Sequence, residues 1–244
     1  MERIKIVMQY DGSDFCGFQV QPNKRTVQGE IEKVLSFLFK EDIKIYASGR
    51  TDAGVSAFAQ VAHFDINQEV NEKSLLSSLN ALLPKDIAIT EVLKTDESFY
   101  ARFSVKKKTY QYKFYVSKFD LPLFKDALRI NDYADLKLMD DACKYFVGTH
   151  DFSSFVARKS GKTDFVRTIY DAKIVSLGDG LFAFEITGNG FLYNMVRIIF
   201  GTLISVGYKK IKPEEIENII NSKNRQFAGK TMPAYALLMK KVVY

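Results

Sequence analysis

An aspartate two residues after an arginine, on a segment with a glycine near each end, is the feature of this sequence best suited to carry chemistry. Asp52 follows Arg50 within SGRTDAGVSA, between Gly49 and Gly54. The apolar runs on either side indicate that the segment is a turn joining two strands. A carboxylate in such a turn can serve as a nucleophile or can pair with a buried cation.

A second candidate is an arginine inside an apolar helical segment. Arg197 is the only charged residue in MVRIIFGTLI. If this helix packs in a core, the guanidinium needs a carboxylate or phosphate partner, ideally in bidentate geometry. Asp52 is one candidate partner, whereas Glu185 or Asp171 would form an ion pair that only holds the fold. Residue spacing alone leaves these alternatives open.

A third feature combines basic and aromatic residues over 101–115. Its members are Arg102, Lys106, Lys107, Lys108 and Lys113 with Phe103, Tyr110, Tyr112 and Phe114. A second basic stretch, 156–167, includes Lys159. Basic groups follow a phosphate backbone, and aromatic rings stack on unpaired bases. The pattern also fits a solvated lysine turn that leads into a core strand, so both interpretations remain open.

The composition is that of a folded, mildly basic protein. Apolar residues make up 47% and charged residues 26% of the 244 residues, and the net charge of +6 favours a polyanionic partner. Cys16 and Cys143 lie far apart in the sequence, fit no close-spaced pair pattern and are too few to stabilise a fold of this size by disulfides. The N-terminal residues do not resemble a signal peptide, and the most apolar helix is short for a membrane span. We therefore expect a soluble, cytoplasmic protein without a membrane partner.

Metal and cofactor chemistry is not indicated. The only histidines, His63 and His150, lie neither near a cysteine nor at a spacing typical of metal ligands. The chain has no glycine-rich phosphate loop of the nucleotide-binding or dinucleotide-binding type. We expect no metal site and no cofactor.

The hydrophobic periodicity predicts an α+β fold with helices packed on a largely antiparallel sheet. Ile4, Ile6, Met8 and Tyr10 alternate along a first strand, and Thr26 can cap the helix that follows. Further helices are predicted over 135–147 and from about residue 191, and an antiparallel hairpin turns at Asp179-Gly180. Two similar α/β halves, 1–105 and 106–244, would form one continuous catalytic unit.

Five segments, in this order, resemble the tRNA pseudouridine synthase A family, the tRNA pseudouridine(38–40) synthases. They are YDGSDFCGFQVQ at 10–21, GRTDAGVSAFAQVAHF at 49–64, ARFS with TYQY at 101–112, GTHDFSSF at 148–155 and NGFLYNMVRIIFGTLISVG at 189–207. The resemblance implies a pseudouridine-synthase-like fold. Asp52 matches the family's catalytic aspartate, Tyr110 the tyrosine that contacts the target base, and Arg197 the arginine that pairs with the aspartate. Three positions depart from the family pattern, namely Ser56, Met232 and Ala236.

The resemblance also implies the reaction and the partners. Uridines at positions 38, 39 and 40 of the tRNA anticodon stem-loop would become pseudouridine, with Asp52 attacking either C1′ of the sugar or C6 of the base. Arg50 would help to flip or hold the nucleotide, and a homodimer would embrace the RNA. Two alternatives remain. One is a catalytically silent relative that acts as a tRNA chaperone, and the other is a glycosidic-bond hydrolase whose second acid would be Asp11, Asp14 or Asp151.

Overall fold

The computed structural model describes residues 1–157 and 164–244. The described residues form strands and α-helices whose bounds, in chain order, are β1 Glu2–Tyr10, α1 Val27–Phe39, β2 Tyr46–Ala47, β3 Ser56–Ile66, α2 Glu72–Leu82, β4 Ile87–Thr95, β5 Lys107–Val116, β6 Leu128–Ile130, α3 Leu136–Cys143, β7 Gly148–Asp151, β8 Val166–Gly178, β9 Leu181–Gly188, α4 Met195–Gly207, α5 Glu215–Ser222 and β10 Leu237–Val243. The predicted α+β class is confirmed. None of the described helices is long and apolar enough to cross a membrane.

The described residues fall into two compact units. Unit 1 comprises Met1–Lys106 together with Leu238–Tyr244, and unit 2 comprises Lys107–Leu237. The chain therefore leaves unit 1, builds unit 2 and returns, so nearly all of β10 belongs to unit 1. The expectation that halves 1–105 and 106–244 form one continuous catalytic unit stays a prediction.

Unit 1 is built on strand β1. β1 lies between β3 and β4 and is antiparallel to both, while β2 pairs with β3 and β10 runs parallel to it. The inward face of β1 consists of Ile4, Ile6, Met8 and Tyr10, and all four are at most 4% exposed. Helix α2 packs on β4 and contacts α1. The predicted alternation of the first strand is therefore confirmed.

Helix α1 begins where its cap predicts. Thr26 has extended backbone angles, and its side chain accepts a hydrogen bond from the Gly29 amide. This bond satisfies an N-terminal amide that has no partner within the helix.

The strands of unit 2 pair mostly antiparallel. β9 lies between β5 and β8, β7 pairs with β8, and β6 pairs with β5 in parallel. The predicted β8–β9 hairpin is present, and Asp179 and Gly180 have φ angles of 51° and 78°. Two consecutive positive φ angles match the twist of the flanking strands, and an Asp-Gly pair accommodates them readily.

The apolar helix α4 packs in the core of unit 2, as its composition predicts. Of its residues, all but Arg197 and Ser205 are buried. Its Phe200 ring stacks on Tyr112 at a centroid separation of 4.4 Å. The helix begins at Met195, later than predicted, because Asn194 has a φ of 61° that no right-handed helix contains. Helix α3 ends at Cys143, not at 147, and continues as a short 3-10 turn.

His63 lies in β3 and is 1% exposed. Its Nδ1 atom is 3.3 Å from the Ala101 amide nitrogen and 3.2 Å from the Tyr46 carbonyl oxygen. Burial lowers the pKa of His63, the charge of Arg3 lowers it further, and Asp65 acts in the opposite direction. The imidazole is therefore neutral in the folded protein at neutral pH.

The lowered pKa of His63 predicts a loss of stability in acid. In the unfolded chain His63 binds a proton as the pH falls below its ordinary pKa of about 6.5, whereas in the folded chain it binds one only at lower pH. The free energy of unfolding is therefore unaffected by the titration of His63 above pH 6.5 and decreases as the pH falls below that value. Urea unfolding should show that the free energy of unfolding decreases between pH 7.5 and pH 5.5 by about 1 kcal/mol more in the native chain than in His63→Gln. Equal pH dependence in both proteins would contradict this.

Candidate active site

The Asp52 turn connects β2 to β3 within unit 1. The Val55 amide donates to the Asp52 carbonyl at 3.1 Å, and Gly54 completes the turn with a φ of 80°. The Asp52 residue is half-buried, whereas Arg50 is exposed. The chain thus holds the carboxylate close to the protein surface on backbone whose conformation is fixed.

A buried amide holds the start of this turn. Gln60 is 0% exposed in the middle of β3. Its Nε2 donates to the Gly49 carbonyl at 2.8 Å, and its Oε1 accepts from the Ser48 hydroxyl at 2.7 Å. A buried amide costs free energy unless its donors and acceptors are satisfied. The two shortest hydrogen bonds of the Gln60 side chain therefore hold Ser48 and Gly49 at the start of the turn.

A buried tyrosine holds the residue before Asp52. The Tyr10 hydroxyl lies 2.8 Å from Oγ1 of Thr51, and both residues are buried. Burial raises the pKa of Tyr10 to about 12, although its hydrogen bonds to Thr51 and Gln60 lower it. The register between β1 and β3 shifts between Met8 and Tyr10. Such a bulge re-aims side chains at the end of a strand pair.

The segment 10–21 braces the turn through its backbone. The Phe18 amide donates to the Thr51 carbonyl at 3.1 Å, and the Gly12 amide donates to Oγ of Ser56 at 3.0 Å. Gly17 has a φ of 93°, and a Cβ there would lie 3.0 Å from the Thr51 carbonyl oxygen. This close approach needs a glycine. Ser56, one of the three departures from the family pattern, is thus a hydrogen-bond acceptor in this brace.

In unit 2, Tyr110 lies on β5 opposite Ile186 of β9. It is 9% exposed, and the ring of Phe191 meets it edge to face at a centroid separation of 5.1 Å. Strand pairing on one side and the Phe191 ring on the other fix the position of the tyrosine ring.

Arg197 lies in the first turn of α4, and two hydrogen bonds orient its guanidinium. Nε donates to the Met232 carbonyl at 2.6 Å, and Nη1 donates to Oδ1 of Asn194 at 2.7 Å. The group also lies near Tyr112: burial raises the pKa of Tyr112, while the charge of Arg197 acts in the opposite direction. The guanidinium is thus held at two of its nitrogens.

The segment after α5 reaches Arg197 because glycines permit close packing. A Cβ on Gly201 would lie 2.0 Å from the Lys230 carbonyl oxygen. The two remaining departures from the family pattern, Met232 and Ala236, contribute backbone groups here, since their carbonyls accept from Arg197 and from the Lys113 amide. A change of side chain at either position leaves these carbonyls in place.

The basic residues predicted to bind RNA differ in exposure and in the unit to which they belong. Arg102 and Lys106 of unit 1 are exposed, and the Arg102 guanidinium lies 5.5 Å from the centre of the Phe103 ring. In unit 2, Lys107 is exposed beside Tyr170, and Lys108 is half-buried. Lys159 lies outside the described residues.

The acids named as alternative partners of Arg197 or as the second acid of a hydrolase have the following contacts. Asp171 pairs with Lys173 at 2.7 Å, Gln111 donates to Glu185 at 2.9 Å, and Asp151 pairs with Lys223 at 3.0 Å. Asp11 accepts from the Ser13 amide and hydroxyl, whereas Asp14 is exposed. Within residues 1–157 and 164–244, no group of three or more His, Cys, Asp or Glu could hold a metal ion.

The carboxylate on the braced turn belongs to unit 1, and the tyrosine and the oriented guanidinium belong to unit 2. A family model described as "tRNA pseudouridine synthase" matches residues 6–104 and 142–244. The chain therefore belongs to the tRNA pseudouridine synthase family. The predicted family and enzyme class, an isomerase, are confirmed.

Bacterial relatives named "tRNA pseudouridine synthase A" match over essentially the full length. The protein of Oceanobacillus iheyensis is 47% identical, over 100% of this chain and 97% of the relative. That of Bacillus subtilis is 46% identical, over 99% of each chain. That of Anoxybacillus flavithermus is 45% identical, over 100% of this chain and 99% of the relative.

The roles of the individual site residues stay predictions, as does the pairing of Asp52 with Arg197. Residue types and spacing gave no functional role to the residues that hold the turn and the guanidinium, namely Tyr10, Gly17, Thr51, Gln60 and Asn194, although the alternation of apolar residues placed Tyr10 on a strand face. Gln60 had a detectable signal, because a glutamine inside the apolar run AFAQVAHF needs a hydrogen-bonded site in the core.

The contact between Gly17 and the Asp52 turn predicts a loss of turnover in Gly17→Ala. The new Cβ would press on the Thr51 carbonyl and displace the turn by a few tenths of an ångström. Misplacing a reacting group by this order of distance should lower the rate of pseudouridine formation by about 10- to 100-fold.

A matched control separates this contact from backbone strain. Gly178 has the same φ of 93°, but a Cβ there meets nothing within 4 Å. Gly178→Ala should lose a similar amount of stability, about 1 kcal/mol, and keep the native rate. Equal rates for both variants would show that the Gly17 contact does not position the turn.

Proposed function

We propose that this protein converts uridines 38, 39 and 40 in the anticodon stem-loop of tRNA into pseudouridine, with Asp52 as the nucleophile. The observation that carries the proposal is a half-buried carboxylate on a turn fixed by buried hydrogen bonds, in a chain of the tRNA pseudouridine synthase family. The sites within the tRNA are taken from the resemblance of the five sequence segments.

The reaction is an isomerisation, so its atoms balance without another reactant. The bond between C1′ of the ribose and N1 of the base breaks, the base turns, and C5 bonds to C1′. The proton on C5 leaves to solvent, and N1 carries a proton in the product. The protein needs to supply a nucleophile, to hold the base while it turns and to move one proton.

Asp52 would supply the nucleophile, by attack on C1′ or on C6. Attack on C1′ would give a glycosyl ester like the intermediate of retaining glycosidases. Attack on C6 would saturate the base and weaken its bond to the ribose. Either attack requires the carboxylate to approach one face of the nucleotide from a fixed position. The bonds of Gln60 and Tyr10 to the turn support such a position.

Tyr110 and Arg197 would act on the base and on the carboxylate, respectively. The tyrosine would stack on the displaced base and take part in removing the C5 proton. Its ring is held by Phe191, so little ordering is required when the base arrives. The guanidinium of Arg197 would pair with the Asp52 carboxylate, keeping it ionised and fixing its orientation.

Basic side chains would bind the RNA backbone. We assign Arg50 to the phosphate of the displaced nucleotide, and Arg102, Lys106, Lys107, Lys108 and Lys159 to neighbouring phosphates. A homodimer in the cytoplasm would present these groups to one tRNA. An excess of cations over acids in the chain, 35 to 29, is consistent with that partner.

Replacing the Asp52 carboxylate should abolish turnover without abolishing RNA binding. Asp52→Asn keeps the shape of the side chain but is a far weaker nucleophile, so the rate should fall by about a thousandfold or more. The measurement is release of tritium from C5 of uridine in a labelled tRNA transcript, because forming pseudouridine must expel that hydrogen. Asp42→Asn is the control, since it changes a carboxylate that is 77% exposed.

The outcomes distinguish the alternatives. Release by the native chain and by Asp42→Asn, but not by Asp52→Asn, would support the proposal. Silence from the native chain, despite salt-dependent tRNA binding, would indicate an RNA-binding relative without catalysis. Release that survives Asp52→Asn would mean that another group is the nucleophile, and free uracil among the products would indicate a hydrolase.

A further inference from the structure

Three aromatic rings lie side by side on the surface of unit 1, outside the groups used in the proposed reaction. Tyr46 and Phe103 are 47% and 74% exposed, and Tyr100 is half-buried between them. The Tyr46 and Tyr100 centroids are 6.0 Å apart, and those of Tyr100 and Phe103 are 5.0 Å apart. We refer to these three residues as the aromatic ledge. Contiguous exposed rings of this kind mark an interaction surface more often than isolated ones do.

The ledge is held from beneath. The buried His63 ring stacks on Tyr46 at 5.3 Å and meets Tyr100 edge to face at 4.6 Å. The Tyr100 carbonyl accepts from the Phe103 and Ser104 amides, which closes a tight turn under the outer ring. A rigid ledge requires little ordering when it binds a partner, so its exposed rings are well suited to binding.

The same turn is tied to the rest of unit 1. The Tyr244 hydroxyl donates to the Ala101 carbonyl at 2.8 Å, and the Arg3 guanidinium donates to the Phe99 carbonyl at 3.0 Å. Tyr46 stands at the start of β2, only a few residues before the Asp52 turn. One ring of the ledge and the candidate nucleophile therefore lie on one continuous stretch of chain.

The charges around the ledge favour a polyanion. The Arg102 guanidinium lies 5.5 Å from the centre of the Phe103 ring, and the Lys5 ammonium lies 5.5 Å from that of Tyr244. Lys106 follows the ledge, while Asp96 and Glu97 precede it, and the carboxylate of Asp65 is paired with Arg3.

The core of an interface between two copies of a chain is depleted in charge. Rings interleaved with cations instead match unpaired nucleotides, whose bases stack and whose phosphates pair.

We propose that the aromatic ledge binds unpaired nucleotides of the tRNA next to the target uridine, by stacking their bases on Phe103 and Tyr46. This inference rests on the proposed function for the identity of the RNA. It assigns the ledge to recognition and not to the chemical step, because the ledge supplies ring faces and no nucleophile.

The test compares the affinities of the full-length variants for a tRNA transcript. Phe103→Ala should weaken binding by about 5- to 100-fold, because each stacked base contributes a comparable factor. The slope of affinity against salt should stay as in the native chain, since no charge is removed. Phe103→Tyr keeps a ring face and should bind like the native chain. Phe37→Ala is the matched control, since Phe37 is 71% exposed on α1 of the same unit and should have no effect.

A blunt RNA duplex and a sedimentation measurement complete the test. Native chain and Phe103→Ala should bind the duplex equally, because it offers no unpaired base, and should sediment alike. Native tRNA affinity in Phe103→Ala would overturn the inference, as would a change in its oligomeric state that accounts for the loss. If the native chain binds tRNA but forms no pseudouridine, the proposed function fails, while the comparison of affinities still decides the role of the ledge.

Discussion

The buried hydrogen bonds beneath the Asp52 turn are the constraint on which the candidate site depends. A glutamine amide and a tyrosine hydroxyl lie in the apolar interior of unit 1, and each must be paired or cost about 1–3 kcal/mol. Both are paired with groups on the turn, the Gly49 carbonyl and Ser48 hydroxyl for Gln60 and the Thr51 hydroxyl for Tyr10. Folding unit 1 without placing the turn would leave these groups only the 3.5 Å bond between Gln60 and Tyr10 and the Val61 amide as partners. The stability of the fold and the position of the carboxylate are therefore coupled.

Unit 2 meets a similar requirement at Arg197. A cation on a helix whose other residues are nearly all buried needs partners that the helix itself cannot provide. One comes from Asn194, whose positive φ begins the helix and leaves its side chain beside the guanidinium. Another is the Met232 carbonyl, which is within reach only because Gly201 and Gly229 let two backbone segments approach closely. These glycines, one on each segment, thus help to orient the Arg197 guanidinium.

Much of the local structure could be predicted from the sequence because its causes are local. The alternation of Ile4, Ile6, Met8 and Tyr10 defines a strand face, Thr26 caps its helix, and an Asp-Gly pair makes a hairpin. The start of α4 depends on the positive φ of Asn194, and the return of β10 to unit 1 depends on pairing with distant segments, so periodicity could place neither. Arg197 is a candidate because a lone charge among apolar residues is visible in the sequence, and Asp52 because it follows an arginine on a turn with a glycine near each end. The groups that hold them, such as Gln60 and the Met232 carbonyl, become visible only when the strands and loops are in place.

The central claim is that the bond between Tyr10 and Thr51 positions the Asp52 turn for turnover. The most direct measurement is a double-mutant cycle on the rate of pseudouridine formation at saturating tRNA, with Tyr10→Phe, Thr51→Val and the double variant. Each single change should lower the rate about tenfold with the KM for tRNA unchanged, Thr51→Ser should keep the rate, and the double variant should lose no more than either single one. If the single variants form pseudouridine at the native rate and only unfold more easily, the bond does not position the carboxylate. The same conclusion follows if the rate losses of the two single variants multiply in the double variant.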